Sequence, residues 1–169
     1  SLTSKLFFIP GNAAKVLTLD PSTDELELIG PKLQGQYKWL RGVECPKTKI
    51  IYGLPCHSDS VLRIDPRTET VTMIPIPPVP NADEDEPSII GMQWKYHGGN
   101  LSPIDGKIYA MPQRGTRVLC IDPATDTISH VGMRLDGWYK WYGGLVGCDG
   151  SLYGVPQCHR SVLRVNPGA

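Results

Sequence analysis

The stretch Ile51-Tyr52-Gly53-Leu54-Pro55-Cys56-His57-Ser58-Asp59-Ser60-Val61-Leu62-Arg63-Ile64-Asp65-Pro66-Arg67-Thr68 decides how the whole chain is read. A short apolar run ends in proline, crosses a polar loop, and returns through a second apolar run into Asp-Pro-x-Thr. That ending is a turn with a mechanism: the aspartate caps backbone N–H groups from the first corner, and proline presets φ at the second. Two apolar runs bounded in this way have the length and punctuation of strands. Beyond the turn, Val71-Thr72-Met73-Ile74 alternates as a strand with one buried face does. Ahead of the stretch, Gly42-Val43-Glu44 supplies a fourth strand, its glycine suited to a place where backbones crowd.

The same order recurs on both sides. Leu6-Phe7-Phe8-Ile9-Pro10, Ile108-Tyr109-Ala110-Met111-Pro112 and Leu152-Tyr153-Gly154-Val155-Pro156 repeat the first run, and Val16–Leu19, Val118–Ile121 and Val162–Val165 the second. Asp20-Pro21-Ser22-Thr23, Asp122-Pro123-Ala124-Thr125 and a truncated Asn166-Pro167 repeat the turn. The motif prolines Pro10, Pro55, Pro112 and Pro156 stand 45, 57 and 44 residues apart, a period that marks one supersecondary unit repeated. Four short strands per unit with no helical periodicity between them predict an all-β chain, a β-propeller of about four repeats built from four-stranded antiparallel sheets. The units run approximately 1–36, 37–93, 94–138 and 139–169 within one domain, 1–169. The first enters at its second strand, because Ser1-Leu2-Thr3 is too short for another. The last stops at Asn166-Pro167-Gly168-Ala169, before a fourth strand. Three and a half blades leave open edges and apolar end faces. Either this stretch belongs to a longer propeller whose other blades lie in further sequence, or the sheet is completed by another chain. Of the two, self-association into a ring or filament is the favoured expectation.

The repeat resembles the short-blade propellers grouped around the NHL, YVTN and SMP-30/gluconolactonase-like families. It is similar above all to tandem K-W-x-G-G…D-G-K-I-Y-x-x-P…V-L-x-I-D-P-x-T-D repeats of algal and protist proteins. The resemblance covers essentially the whole chain and implies the fold. Function does not follow from it, because propellers host unrelated activities. A lactonase of this kind would need Glu, Asn and Asp side chains converging on one divalent cation in the axial channel. Glu44 and Asn100 are near the innermost strands but come from different blades at unmatched positions.

The totals exclude several classes. Lys plus Arg and Asp plus Glu are both 17, so no basic stripe for nucleic acid is indicated. No apolar run approaches the roughly 20 residues of a membrane helix. The five cysteines are odd in number and too sparse for a disulfide framework, so reduced thiols are expected. That favours a soluble cytoplasmic or organellar setting, while the sequon Asn100-Leu101-Ser102 points weakly to an extracellular one. No G-x-S-x-G, H-E-x-x-H or phosphate-cradling loop occurs, and neither a catalytic set nor a cofactor is expected. Cys56-His57 and Cys158-His159 look like metal-ligand pairs, but they are out of register and lack any four-ligand spacing, so no metal site is assigned.

What remains is a binding surface. The loops that join successive units carry Tyr37-Lys38-Trp39, Trp94-Lys95-Tyr96 and Tyr139-Lys140-Trp141. The loops inside each unit that share their rim carry His57, Arg114, Arg117, His159 and Arg160. Lys38, Trp39, Lys95, Tyr96, Lys140 and Trp141 join these five as the candidate ligand- or partner-binding set, with the aromatic faces stacking a sugar or base and the ammonium taking an anionic group. The competing reading packs the aromatics between blades, the lysine stems lying across them with their heads in water. Either way this rim is expected to be basic, and the opposite one, with Asp20, Asp24, Asp65, Glu69, Asp122 and Asp126, acidic. Tyr52, Tyr109 and Tyr153 are placed in the blade core, His97 at a junction and His130 on the surface. The segment 76–88, Pro-rich with four consecutive acids, is placed in an exposed, solvated inter-blade loop. The whole reads as a non-catalytic binding or scaffolding propeller. Its expected partners are proteins, chiefly other copies of itself, and anionic glycans, with a metal-dependent lactonase or lyase, or a lectin, as alternatives.

Overall fold

The computed structural model describes residues 4–168; the reading of Ser1-Leu2-Thr3 falls outside them. Within that range the regular structure is entirely β, in four antiparallel sheets of three, four, four and three strands, each in simple sequence order. Sheet 1 holds β1 (Leu6–Phe8), β2 (Val16–Asp20) and β3 (Glu25–Ile29). Sheet 2 holds β4 (Trp39–Glu44), β5 (Ile51–Pro55), β6 (Ser60–Asp65) and β7 (Thr70–Pro75). Sheet 3 holds β8 (Tyr96–Leu101), β9 (Ile108–Pro112), β10 (Val118–Asp122) and β11 (Thr127–Val131), and sheet 4 holds β12 (Trp141–Val146), β13 (Leu152–Pro156) and β14 (Leu163–Val165). The fold is that of a β-propeller of about four blades, and among the described residues sheets 1 and 4 hold no inner and no outer strand respectively.

Local chemistry builds each hairpin. Asp20 Oδ1 accepts Ser22 N–H at 2.9 Å, Asp65 Oδ1 accepts Arg67 N–H at 3.0 Å and Asp122 Oδ1 accepts Ala124 N–H at 2.9 Å. Two residues later Asp24, Glu69 and Asp126 adopt φ of 58°, 55° and 55°, the left-handed step that turns the chain into the outer strand.

Alternation then gives every sheet two apolar faces. In sheet 2, Leu62, Ile64 and Val71 pack against Val16 and Ile29 of sheet 1. The other face, Val43, Tyr52, Leu54 and Val61, packs against Ile108, Ala110, Leu119 and Ile121 of sheet 3. Sheet 3 in turn packs Tyr109, Met111, Val118 and Cys120 against Leu152 of sheet 4. Each fully buried aliphatic contributes about 1.5–3 kcal/mol, so these layers hold the stack together.

Near the axis the inner strands approach closely enough to require glycine. A Cβ on Gly98 would lie 2.8 Å from Gly143 Cα, and one on Gly99 2.3 Å from Tyr109 O and 2.8 Å from Ala110 Cα. Gly132, at φ +80°, has nothing within 4 Å of an added Cβ. Gly99→Ala should therefore lower unfolding stability by about 3 kcal/mol, because backbone cannot yield as a side chain can. Gly132→Ala should cost only the left-handed penalty of about 1 kcal/mol. Urea melts of the two variants check this; equal losses would refute the crowded-axis account.

Candidate functional site

The three lysines of the inter-blade triplets are buried, with exposures of 3% for Lys38, 0% for Lys95 and 1% for Lys140. Lys38 Nζ donates to the carbonyls of Gly11 (3.0 Å), Ala13 (2.9 Å) and Gly35 (3.1 Å). Lys140 Nζ donates to Gln113 (3.3 Å), Gly115 (3.0 Å) and Gly137 (2.9 Å). Lys95 Nζ donates to His57 O at 3.1 Å and to Met92 O, and pairs with Asp59 Oδ1 at 2.8 Å. In each case the loop inside one blade supplies acceptors to the first residues of the next. Main-chain bonds run alongside, from Lys38 N–H to Gly11 O, Lys95 N–H to Cys56 O and Lys140 N–H to Gln113 O. The expectation of ammonium heads in water is thereby corrected. Carbonyls turned inward at a blade junction have no strand to pair with, each would cost about 1–3 kcal/mol unmet, and one ammonium brings three donors. Burial pushes the Lys38 amine below its ordinary pKa and the Lys140 amine down to about 8, so at neutral pH Lys140 is still mostly charged.

The last aromatic of each triplet also turns inward, already part of the inner strand. Trp39 Nε1 donates to Ser60 O and Trp141 Nε1 to Ser161 O, both at 2.7 Å, and buried Tyr96 has its hydroxyl 3.5 Å from His130 Nδ1. The first aromatic turns out. Tyr37, Trp94 and Tyr139 have φ of 49°, 55° and 51°, a left-handed conformation uncommon for bulky residues. Strand alternation would put Tyr37 and Trp39 on one face. The left-handed step separates them, so the rim residues are the ones just before the lysines.

Between sheets 2 and 3 this step builds a recess. Tyr37, His57 and Trp94 form an aromatic cluster with ring centroids 4.7–5.3 Å apart, His57 meeting Trp94 edge-on. They line a groove of about 660 Å³ together with Gln34, Gln36 and Gln93. At the next junction Arg114 takes the place of His57 and sits 4.1 Å over the Trp138 ring, a cation–π contact. His159 stacks 4.3 Å from Trp141, and Arg160 is exposed.

Arg117 is not a free rim charge. Its Nε and Nη2 donate to both Glu86 oxygens at 3.2 and 2.9 Å, while Arg134 holds Asp83, Asp85 and Asp136. The acidic segment is exposed from Asn81 to Asp85, as its composition implies, and is in addition a strap tied across sheet 3 by arginines about 30 to 50 positions away in sequence. Its start is pinned too: His130, expected on the surface, is half-buried with Nε2 2.8 Å from Pro77 O. On the opposite rim Asp126 accepts from Tyr52 (2.5 Å) and Arg63 (3.0 Å), Asp65 pairs with Arg67 and Glu69 with Lys5. The two-faced charge pattern expected from the sequence is largely cancelled by such pairs and by burial of the three lysines.

Near the axis, Glu44 pairs with Lys49 at 3.2 Å, and Asn100 donates its amide to Gly144 O at 3.2 Å. They do not converge. Among the described residues no group of three His, Cys, Asp or Glu is placed to hold a metal ion. All five cysteines are free; burial raises the Cys56 thiol to about 11, and Cys158 is exposed.

Neither a known family model nor a curated protein sequence matches the chain. Solved structures do. The chain is similar to a streptogramin B lyase structure, with TM-score 0.70 and 18% identity, over 99% of this chain and 49% of that one. A catalytically inactive histidine-to-alanine variant of virginiamycin B lyase from Staphylococcus aureus with quinupristin gives 0.68 and 13%, over 99% and 50%. Hydrazine synthase of Kuenenia stuttgartiensis gives 0.61 and 18%, over 95% and 41%. At these identities the likeness is one of fold, and the chain spans about half the length of these structures or less.

Two outcomes test the rim's construction. Lys140→Met keeps the stem but leaves the carbonyls of Gly115 and Gly137 without a donor, Gln113 O keeping the Lys140 N–H, and should lower stability by about 3 kcal/mol in a urea melt. No change would show that solvent can replace the ammonium. The Arg117 guanidinium holds the Glu86 carboxyl down at about 2, against an ordinary 4.5. A carboxylate with a depressed folded pKa contributes stability above its unfolded value and loses it as pH falls through the folded one. Glu86→Gln should thus cost about 2 kcal/mol at pH 7, with the gap from wild type closing between pH 4.5 and 2. A gap that persists at pH 2 would place the contribution in packing.

Proposed function

We propose that the chain is a non-catalytic scaffolding propeller segment that assembles head to tail with a second copy of itself. One observation carries this reading: an entire sheet face is apolar and uncovered. In sheet 1 the register pairs Leu6 with Leu19 and Leu19 with Leu26, and Phe8 with Leu17 and Leu17 with Leu28. These six side chains share one side, with Leu26 65% and Leu28 60% exposed. Scattered exposed leucines are ordinary, but a contiguous set on one sheet face is an interaction surface.

The repeat supports a second copy as the occupant. Leu6, Leu17, Leu19 and Leu26 stand where Ile108, Leu119, Ile121 and Ile128 stand in sheet 3, and those pack on Tyr52, Leu54 and Val61 of sheet 2. The sheet 4 counterparts of that receiving face are Tyr153, Val155 and Val162, on the side turned away from sheet 3. Polar groups correspond as well. Tyr52 and Arg63 bind Asp126 across the sheet 2–sheet 3 junction, and their counterparts are Tyr153, Arg164 and Asp24, the first two meeting Asp149 at 2.8 Å each in the single chain. Sheet 4 of one copy and sheet 1 of another thus carry both halves of a junction that the chain already makes internally. A closed pair would have about the length of the solved structures it resembles.

Light scattering across a concentration series should give twice the chain mass. Asp24→Lys and Arg164→Asp should each weaken association at least tenfold, Asp24→Lys at an exposed residue with unchanged melting temperature, and combining them should restore it. A monomer persisting at millimolar concentration, or singles without effect, would overturn the reading.

A further inference from the structure

The groove between sheets 2 and 3 is on the loop rim, clear of both end faces, and the proposal above does not use it. Its lining is chemically selective. Tyr37 is exposed, Trp94 and His57 are half-buried, and their rings form one continuous platform. Gln34, Gln36 and Gln93 are exposed, and among the described residues their side chains make no hydrogen bond. Three free primary amides therefore border an aromatic floor, each offering two donors and an acceptor.

No charge is free in it. The one cation in the lining, Lys38, has all three donors spent on Gly11, Ala13 and Gly35, and no carboxylate lines the groove. Burial pushes His57 below its ordinary pKa, so it is neutral at pH 7, and its Nε2 is buried without a partner. The ligand this recess fits has apolar C–H faces to lie on rings and hydroxyl or acetamido groups to exchange hydrogen bonds with amides. An anionic ligand would find no accessible cation.

We propose that the Tyr37–His57–Trp94 groove is a binding site for neutral oligosaccharides, stacked on the aromatic platform and hydrogen-bonded by Gln34, Gln36 and Gln93. The left-handed backbone at Tyr37 and Trp94, which the repeat uses at each junction to bury the following lysine, also places both rings on the groove. The following junction, where Arg114 stacks on Trp138, offers a cation instead of a neutral imidazole, so the repeat has varied this position while keeping the lysine beneath it.

The test is saturation-transfer NMR and calorimetry on the whole chain with cello-, malto-, manno- and N-acetylchito-tetraose, and with a heparin tetrasaccharide. At least one neutral tetrasaccharide should bind, with saturation strongest at ring C–H protons and an affinity insensitive to salt. Trp94→Ala should weaken it at least tenfold. Gln36→Ala with Gln93→Ala, exposed changes that leave the fold intact, should weaken it about fivefold. No neutral sugar binding at 10 mM, binding only of the heparin fragment, or binding unmoved by the glutamine pair would each overturn the assignment. Association of the chain, which uses other faces, is read separately.

Discussion

A β-sheet with two apolar faces can be stacked on its neighbours by burial alone, but burial does not say at what angle or in what register. The constraint that fixes both here is the inward-turned lysine at each junction. The loop between the second and third strands of one blade ends with carbonyls that no strand reaches, and the first residues of the next blade bring an ammonium to them. Because the ammonium is compact and has three donors, it draws carbonyls from two segments to one point. The main-chain bonds beside it then have a single register to adopt. Hydrophobic layers supply most of the attraction, and the lysine makes that attraction specific.

The rest of the rim follows from that commitment. To send its side chain inward, each lysine needs the residue before it in a left-handed turn, and that residue's aromatic ring is consequently turned outward. The rim is therefore aromatic where composition made it look basic, since its three lysines are already spent. Arg117 and Arg134 are spent in the same sense on the acidic strap, which explains why a chain of balanced charge shows little charge separation between its two rims.

The fold was legible because its determinants are local. Asp-Pro-x-Thr carries its own hydrogen bonds, alternation assigns faces, and four copies of a weak signal at a regular period make a strong one. Strand counts of three, four, four and three needed only those rules. The site was less legible. Lys38 was readable as a rim residue, but its direction depends on one dihedral at Tyr37 that no pattern announces. The strap's neutralisation depends on Arg134, about 50 positions from its acids. Leu26-Glu27-Leu28-Ile29 alternates as Val71-Thr72-Met73-Ile74 does, and the buried face which that pattern implies for a strand is open here at both leucines. Sequence could not say that Ile29 is the covered residue and the two leucines the open ones, because coverage belongs to the neighbour and not to the strand.

That last point bears on how such a stack can end. Every blade has one face that inserts and one that receives, so removing a blade exposes another of the same kind, and adding one renews the problem. Capping by polar substitution has not happened at sheet 1, whose open face carries six apolar residues. An open face of this kind is met by a further blade or by a second copy, and the glycines bear on how such a stack curves. Gly98 against Gly143 and Gly99 against Gly144 let the inner strands nearly touch, while the outer strands carry full side chains between them. The sheet 3–sheet 4 junction is thus a wedge, thin at the axis and thick at the periphery. Flat stacking would extend indefinitely, but a succession of wedges curves back on itself. The crowded glycines at the axis therefore set the curvature of the stack, and the bare leucines of sheet 1 are the face on which the proposed second copy would seat.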